Sequence, residues 1–407
     1  MQVTCLTSEF SAKYVIRRGL AFTFIATSLW GCASFKSLTE GSLLNSENEN
    51  AKKEFVVKKV WVRPAIASPN EGVRKLNRMS PIIAGDVVIQ GNGIDGVAAY
   101  SSETGRLIWK RPLSQGVEAS GVLFKDRVYL AASDGTVLAL NRKTGESLWT
   151  ASTKSENTAQ PSYDPESGTL FVLSGSNGVH SFDGMTGKTN WIYTRQDTSS
   201  LSIRGGSLPV LSKNGLLYVG FSEGSFVALN AKSGTVAWEI NLNKNKRFRD
   251  VEAGAVLDND RIYVSGFDDK LYALSLTGEI IWRLEEGGYS PVRIDGEKMF
   301  YSTTTGKVLC LNKGNGKVHW SYLVKDGLAS EVRLYKGLAV FGESQGNLVF
   351  LNSQTGAQVG SFEPGRGVMA APSFSEDGSR MYIISGEANL YALEAKWQTK
   401  SHFEYLR

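Results

Sequence analysis

Cysteine and histidine are scarce in this chain, with three of each among 407 residues. Cys5 and Cys32 both fall within the first 32 residues, so Cys310 stands alone in the remainder and an internal disulfide there is excluded. His180, His319 and His402 are far apart at unrelated positions, which excludes the clustered spacing of a metal site. No Gly-x-Ser-x-Gly, P-loop or dinucleotide fingerprint is read here. Asp134 and Asp183 sit in or beside turns, and Asp268-Asp269 fills the place of one, where turn chemistry accounts for a carboxylate better than acid–base catalysis. No catalytic residue, metal or cofactor is therefore expected. A net charge of +5 is small for this length and says almost nothing for nucleic acid. The basic run Lys244-Asn245-Lys246-Arg247-Phe248-Arg249 falls in a connecting loop and reads as a solvated or partner-facing segment.

Long apolar runs are also missing. The stretch Gly19 to Trp30 is too short to span a bilayer. Behind Lys13, Arg17 and Arg18 it reads instead as an export signal over residues 1–31. It ends in Leu29-Trp30-Gly31-Cys32, which resembles the lipobox of bacterial lipoproteins, with Trp30 where a smaller residue is usual. That resemblance implies that Cys32 carries the lipid. Ala33, in place of the aspartate that retains such proteins at the inner membrane, implies anchoring at the outer membrane. An ordinary signal peptide with an incidental cysteine is the competing reading. Residues 32–54 are polar and aperiodic around Asn45-Ser46-Glu47-Asn48-Glu49-Asn50 and read as a flexible tether. A coil of about 20 residues would hold the body roughly 25 Å from the lipid surface.

What the chain has in abundance is repetition. Tryptophans at 61, 109, 149, 191, 238, 282 and 320 recur at intervals of 38 to 48 residues, all but the first after a Thr-Gly-like pair. Within a repeat, Arg127 to Ala132 reads as a strand, Asp134-Gly135 as a turn, Thr136 to Leu140 as the next strand, and Thr144-Gly145 as the turn into a strand ending at Trp149. A period of 40–50 residues made of short strands signals a β-propeller, because one blade cannot bury its own faces. Seven frames are complete. The seventh has Gly360 where the tryptophan should stand, which marks a looser junction or a local contact. An eighth frame runs from about Ala371 to Leu393 and lacks its last strand, while Phe55 to Arg63 carries Trp61 without preceding strands. Pairing the two predicts an all-β, eight-bladed propeller of four-stranded antiparallel blades over 55–397, with the N-terminal strand completing the last blade and 398–407 as a tail. The tryptophans read as packing between blades. Cys310 occupies the place of Ala139, Ala228 and Ala273 and reads as a small core residue.

Connections between blades vary more than the blades do. Two consecutive ones are long, about 15 and 14 residues against about 7 to 9 elsewhere. The first holds Leu201-Ser202-Ile203-Arg204-Gly205 and the second Asp250-Val251-Glu252. Apolar residues beside an arginine, facing an acidic pair, make a plausible protein-binding patch. The alternative is an ordinary loop whose Leu201 and Ile203 fold back onto the body.

Two resemblances bear on this. Propellers with this tryptophan repeat resemble the pyrroloquinoline-quinone dehydrogenases, many of which carry vicinal cysteines over the quinone; this chain has no adjacent cysteines. An eight-bladed lipoprotein propeller with these two loop motifs more specifically resembles the propeller lipoproteins of the outer-membrane β-barrel assembly machinery. This second resemblance runs from Trp61 to the C-terminus, with Ile203 for a leucine, Glu252 for an aspartate and Gly206 for a glutamate. It implies a non-catalytic scaffold on the periplasmic face of the outer membrane, held there by lipid alone, with no nucleic acid. Leu201, Ile203, Arg204, Asp250 and Glu252 would contact a periplasmic POTRA domain of the central barrel subunit, BamA. Other lipoproteins of the complex, and sheet-edge pairing with unfolded outer-membrane proteins, complete the expected partners. A quinoprotein-like enzyme and a propeller for a different envelope partner remain the alternatives.

Overall fold

The computed structural model describes residues 53–65, 77–195, 208–211, 214–242, 250–251, 253–267 and 270–399. The chain divides into two units, Met1–Ala51 and Lys52–Arg407, and every described residue belongs to the second. Cys32 and the expected signal and tether lie outside the described residues.

Eight four-stranded antiparallel sheets follow one another along the chain, which is the expected eight-bladed propeller. Blade 2 is typical: Val122–Phe124 innermost, then Arg127–Ala131, Thr136–Asn141 and the outer Ser147–Ser152. The second and third strands of each blade are buried nearly throughout, because neighbouring blades cover both their faces; Tyr129, Leu130, Val137 and Ala139 are all at 0–1% exposure. Outer strands alternate between solvent and the neighbouring blade, with the tryptophan turned inward. The eighth sheet draws on both ends of the chain: Lys53–Pro64 pairs with Asn389–Thr399, which in turn pairs with Met381–Ile384. These strands run two residues beyond the expected 55–397 at each end. The innermost strands of blades 1 and 8 lie against each other, as do those of blades 1 and 2.

Every repeat tryptophan performs the same two tasks. Its indole N–H donates to a backbone carbonyl in the turn between the third and outer strands of the next blade, at 2.9–3.2 Å: Trp61 to Ser102, Trp109 to Arg142, Trp149 to Gly184, Trp191 to Ala231, Trp238 to Leu276, Trp282 to Lys313 and Trp320 to Ser353. Its ring lies flat on the glycine of that turn, so a Cβ on Gly187 would fall 2.5 Å from Trp149, and one on Gly145 equally close to Trp109. These glycines also hold φ near +70°, a second reason that no other residue fits. Opposite each tryptophan, on its own third strand, stands a small residue: Ala99, Ala139, Ser181, Ala228, Ala273, Cys310 and Ala392. Cys310 is thus the fully buried small residue expected, and burial pushes its thiol up to about 11.

Gly360 is explained by inverting that pair. Its partner across the strands is Phe350, so the bulk has moved from the outer strand to the third. The next blade has no turn for an indole to cap, because its third and outer strands come from opposite chain ends. Phe55, on the N-terminal strand, fills the space instead: its ring packs at a tilt against Phe350 at 5.0 Å and Trp397 at 5.3 Å, and a Cβ on Gly360 would lie 2.8 Å from its ring. Phe55→Ala should therefore cost about 2 kcal/mol in urea unfolding, whereas an unchanged midpoint would show that this junction carries no packing energy.

Candidate partner-binding face

Turns between second and third strands, and the connections from each outer strand to the next blade, meet on one face of the propeller. Backbone hydrogen bonds tie them together: Val117 N–H to the Asn92 carbonyl, Thr153 to Gly135, Leu242 to Gly224, Val251 to Phe221, Val324 to Gly306 and Val368 to Glu343. Residues 195–209 and 242–255 are the two long connections anticipated, lying on either side of blade 4. A third, residues 65–81, was not recognised from sequence, because Trp61 had no preceding strands to anchor the count. Its ends are held by Ala65 N–H donating to the Ala388 carbonyl and by the Asn77 amide reaching Ser385.

The foot of the first long connection is an ion-pair hub. Arg195 binds Glu239 through two guanidinium nitrogens at 2.8 and 2.9 Å, pairs with Glu223 at 2.6 Å, and donates to the Tyr193 hydroxyl. Its guanidinium also stands 5.3 Å from the centre of the Phe221 ring. Ser225 adds a hydroxyl to Glu239 at 3.0 Å. Arg195 directly follows the outer strand of blade 3, while Glu223, Ser225 and Glu239 belong to blade 4, so the hub fixes where the loop departs. A planar fork satisfying one carboxylate bidentately is the geometry in which arginine outperforms lysine. The sequence reading passed over Arg195 because its carboxylate partners lie 28 and 44 positions away.

Of the five expected contact residues, only Asp250 is described; Leu201, Ile203, Arg204 and Glu252 lie outside the described residues. Asp250 is 1% exposed, its carbonyl accepts from Phe267 N–H, and it has polar partners, so within this chain it is a buried structural residue. Val251 beside it is a repeat residue. Val117, Val251 and Val368 each press on a glycine at the end of a second strand, namely Gly91, Gly220 and Gly342. The Val-Glu-Ala of 251–253 is matched by Val117-Glu118-Ala119, so the exception in that motif is Asp250, where the other connections have Gly116 and Gly367.

Enzyme-like patterns dissolve in this frame. Two Gly-x-Ser-x-Gly strings, at 220–224 and 342–346, and a Gly-x-Gly-x-x-Gly string at 91–96 escaped the sequence reading. All three are turns between second and third strands with another strand following, not a helix. Ser222 is bound to Asn177, and Ser344 accepts from Leu328 N–H. His180 is buried, stacked parallel on Phe182, and burial lowers its pKa. His319 is exposed on an outer strand. No group of three His, Cys, Asp or Glu side chains among the described residues could hold a metal.

The family model described as "Outer membrane protein assembly factor BamB" matches residues 58–165 and 97–322, well over half the chain. The chain belongs to the BamB family. It is 24% identical over 400 residues to BamB of Yersinia pestis, covering 90% of this chain and 98% of that one. Against BamB of Escherichia coli K12 the identity is 26% over 391 residues, with 90% and 96% covered. Among solved structures, BamB from Moraxella catarrhalis superposes with a TM-score of 0.70 at 16% identity, over 83% of this chain and all of that one. The quinohemoprotein alcohol dehydrogenase ADHIIG of Pseudomonas putida reaches 0.69 at 14% identity, over 85% and 78%. The propeller alone therefore does not separate assembly factor from dehydrogenase; the family match does, and it makes this chain a non-catalytic outer-membrane assembly factor.

Glu239 links the hub to solution behaviour. The Arg195 guanidinium holds its carboxyl below the ordinary glutamate range. The pair therefore stabilises the fold fully above that ordinary value, and its contribution is lost as the pH falls through the lowered value. At neutral pH the urea midpoint of the wild type should exceed that of Glu239→Gln, and the gap should narrow as the pH falls below the ordinary glutamate range; a gap that persists undiminished in acid would contradict this.

Proposed function

We propose that this propeller is a scaffold of the outer-membrane β-barrel assembly machinery that docks a periplasmic POTRA domain of a BamA-like barrel subunit on the face carrying connections 195–209 and 242–255. The observation that carries the reading is the placement of both connections around blade 4, with one rooted in the Arg195–Glu239–Glu223 hub and the other in the buried Asp250-Val251 pair. Rigid roots hold a loop in a binding-competent shape, which lowers the ordering cost of association. Leu201 and Ile203 would bury apolar area, Arg204 would donate to carboxylates or carbonyls, and Glu252 would accept. Asp250 contributes by bracing the loop from inside. Other lipoproteins of the complex are further partners in this reading, and lipid on Cys32 would hold the propeller at the periplasmic face through the 32–54 tether.

Two experiments test it. Arg204→Glu should abolish co-purification of the POTRA-containing barrel protein while thermal unfolding of the propeller is unchanged, and full retention of the partner by a folded variant would reject the docking assignment. Cys32→Ser should move the protein from the outer-membrane pellet to the soluble periplasmic fraction. If it stays in the pellet, lipid is not what holds it there.

A further inference from the structure

Strand registers align the innermost strands of the eight blades, since each first residue pairs with the third position of its second strand in blades 1 to 7 and with the second position, Tyr382, in blade 8. In blade order that position holds Ile82, Val122, Ser162, Val210, Val256, Arg293, Arg333 and Ser373. The other blades carry small or apolar side chains there, so two arginines in consecutive blades, Arg293 exposed and Arg333 half-buried, are a departure from the pattern. They line a cavity of about 350 Å³ together with residues from blades 1, 2, 3 and 8, among them Ser80, Gln160 and Ser373.

The described residues do little to neutralise them. Arg333 gives one nitrogen to Glu331 at 3.1 Å, while its buried Nε has no hydrogen-bond partner. No hydrogen bond or ion pair from the described residues engages Arg293. Glu331 feels both guanidinium groups, and burial raises its pKa, which weakens it as a counter-ion. Two guanidinium forks beside hydroxyl and amide groups, with an orphaned buried N–H, form the donor set that oxyanions satisfy.

We infer that this axial cavity is a binding site for a small oxyanion, carried on a carboxylate or a phosphate, held by Arg293 and Arg333. The site is independent of the POTRA-docking reading and lies at the axis rather than in the long connections.

The test is calorimetric titration of the full-length protein in detergent micelles with citrate, and separately with inorganic phosphate, at ionic strength held constant with sodium chloride. Saturable binding of at least one anion is expected, and which one binds separates carboxylate from phosphate. Arg293→Ser and Arg333→Ser should each weaken it by about tenfold or more, the loss of a charge-assisted fork. Serine is the residue that blades 3 and 8 already carry there. Arg333→Ser risks misfolding by stranding Glu331. Arg293→Ser breaks no hydrogen bond or ion pair among the described residues, so its unfolding midpoint in chloride should lie close to the wild type and it alone can decide. Absence of saturable binding by both anions, or binding unaltered in Arg293→Ser, overturns the assignment.

Discussion

The whole architecture rests on one contact made seven times: an indole laid on a glycine turn of the next blade, with its N–H spent on a carbonyl of that turn. A four-stranded blade has two apolar faces and no means of covering them itself. The contact sets both the spacing and the order of neighbours. It also imposes composition at three places at once: tryptophan on the outer strand, a small residue opposite it, and a glycine with positive φ one blade further on. Change any one and the other two lose their purpose.

Blade 7 demonstrates that dependence. Where the chain ends interrupt the last turn, the tryptophan vanishes, the small residue becomes Phe350, and Phe55 arrives from the N-terminal strand to fill the gap. The missing tryptophan is a consequence of where the circle of sequence is cut, not a functional mark. Nothing local to Gly360 announces this, because the compensating ring lies some 300 positions earlier.

The binding face divides differently. Loop lengths are legible in sequence, since the repeat supplies a ruler, but the roots of those loops are not. Arg195 reads as an unremarkable residue after an outer strand until Glu223 and Glu239 are brought to it. Asp250 reads as an exposed acid in a loop motif, and Val251-Glu252 as its companions, until Val117-Glu118 shows the same letters in a short connection. The repeat that made the fold readable thus disguised Val251, lending a packing residue the look of a motif. The serine and glycine strings at 220–224 and 342–346 are the same effect in an enzyme's clothing.

By itself the sequence determined the period, the blade count, the split eighth blade and the positions where connections lengthen, all of which follow from local turn chemistry and the spacing of apolar residues. Only the tertiary structure decided which charges meet, which acid is buried, and that Arg293 and Arg333 face a common axial cavity. Pairing across blades joins residues tens to hundreds of positions apart, and the energy of a buried charge depends on who its neighbours are rather than on where it stands in the chain.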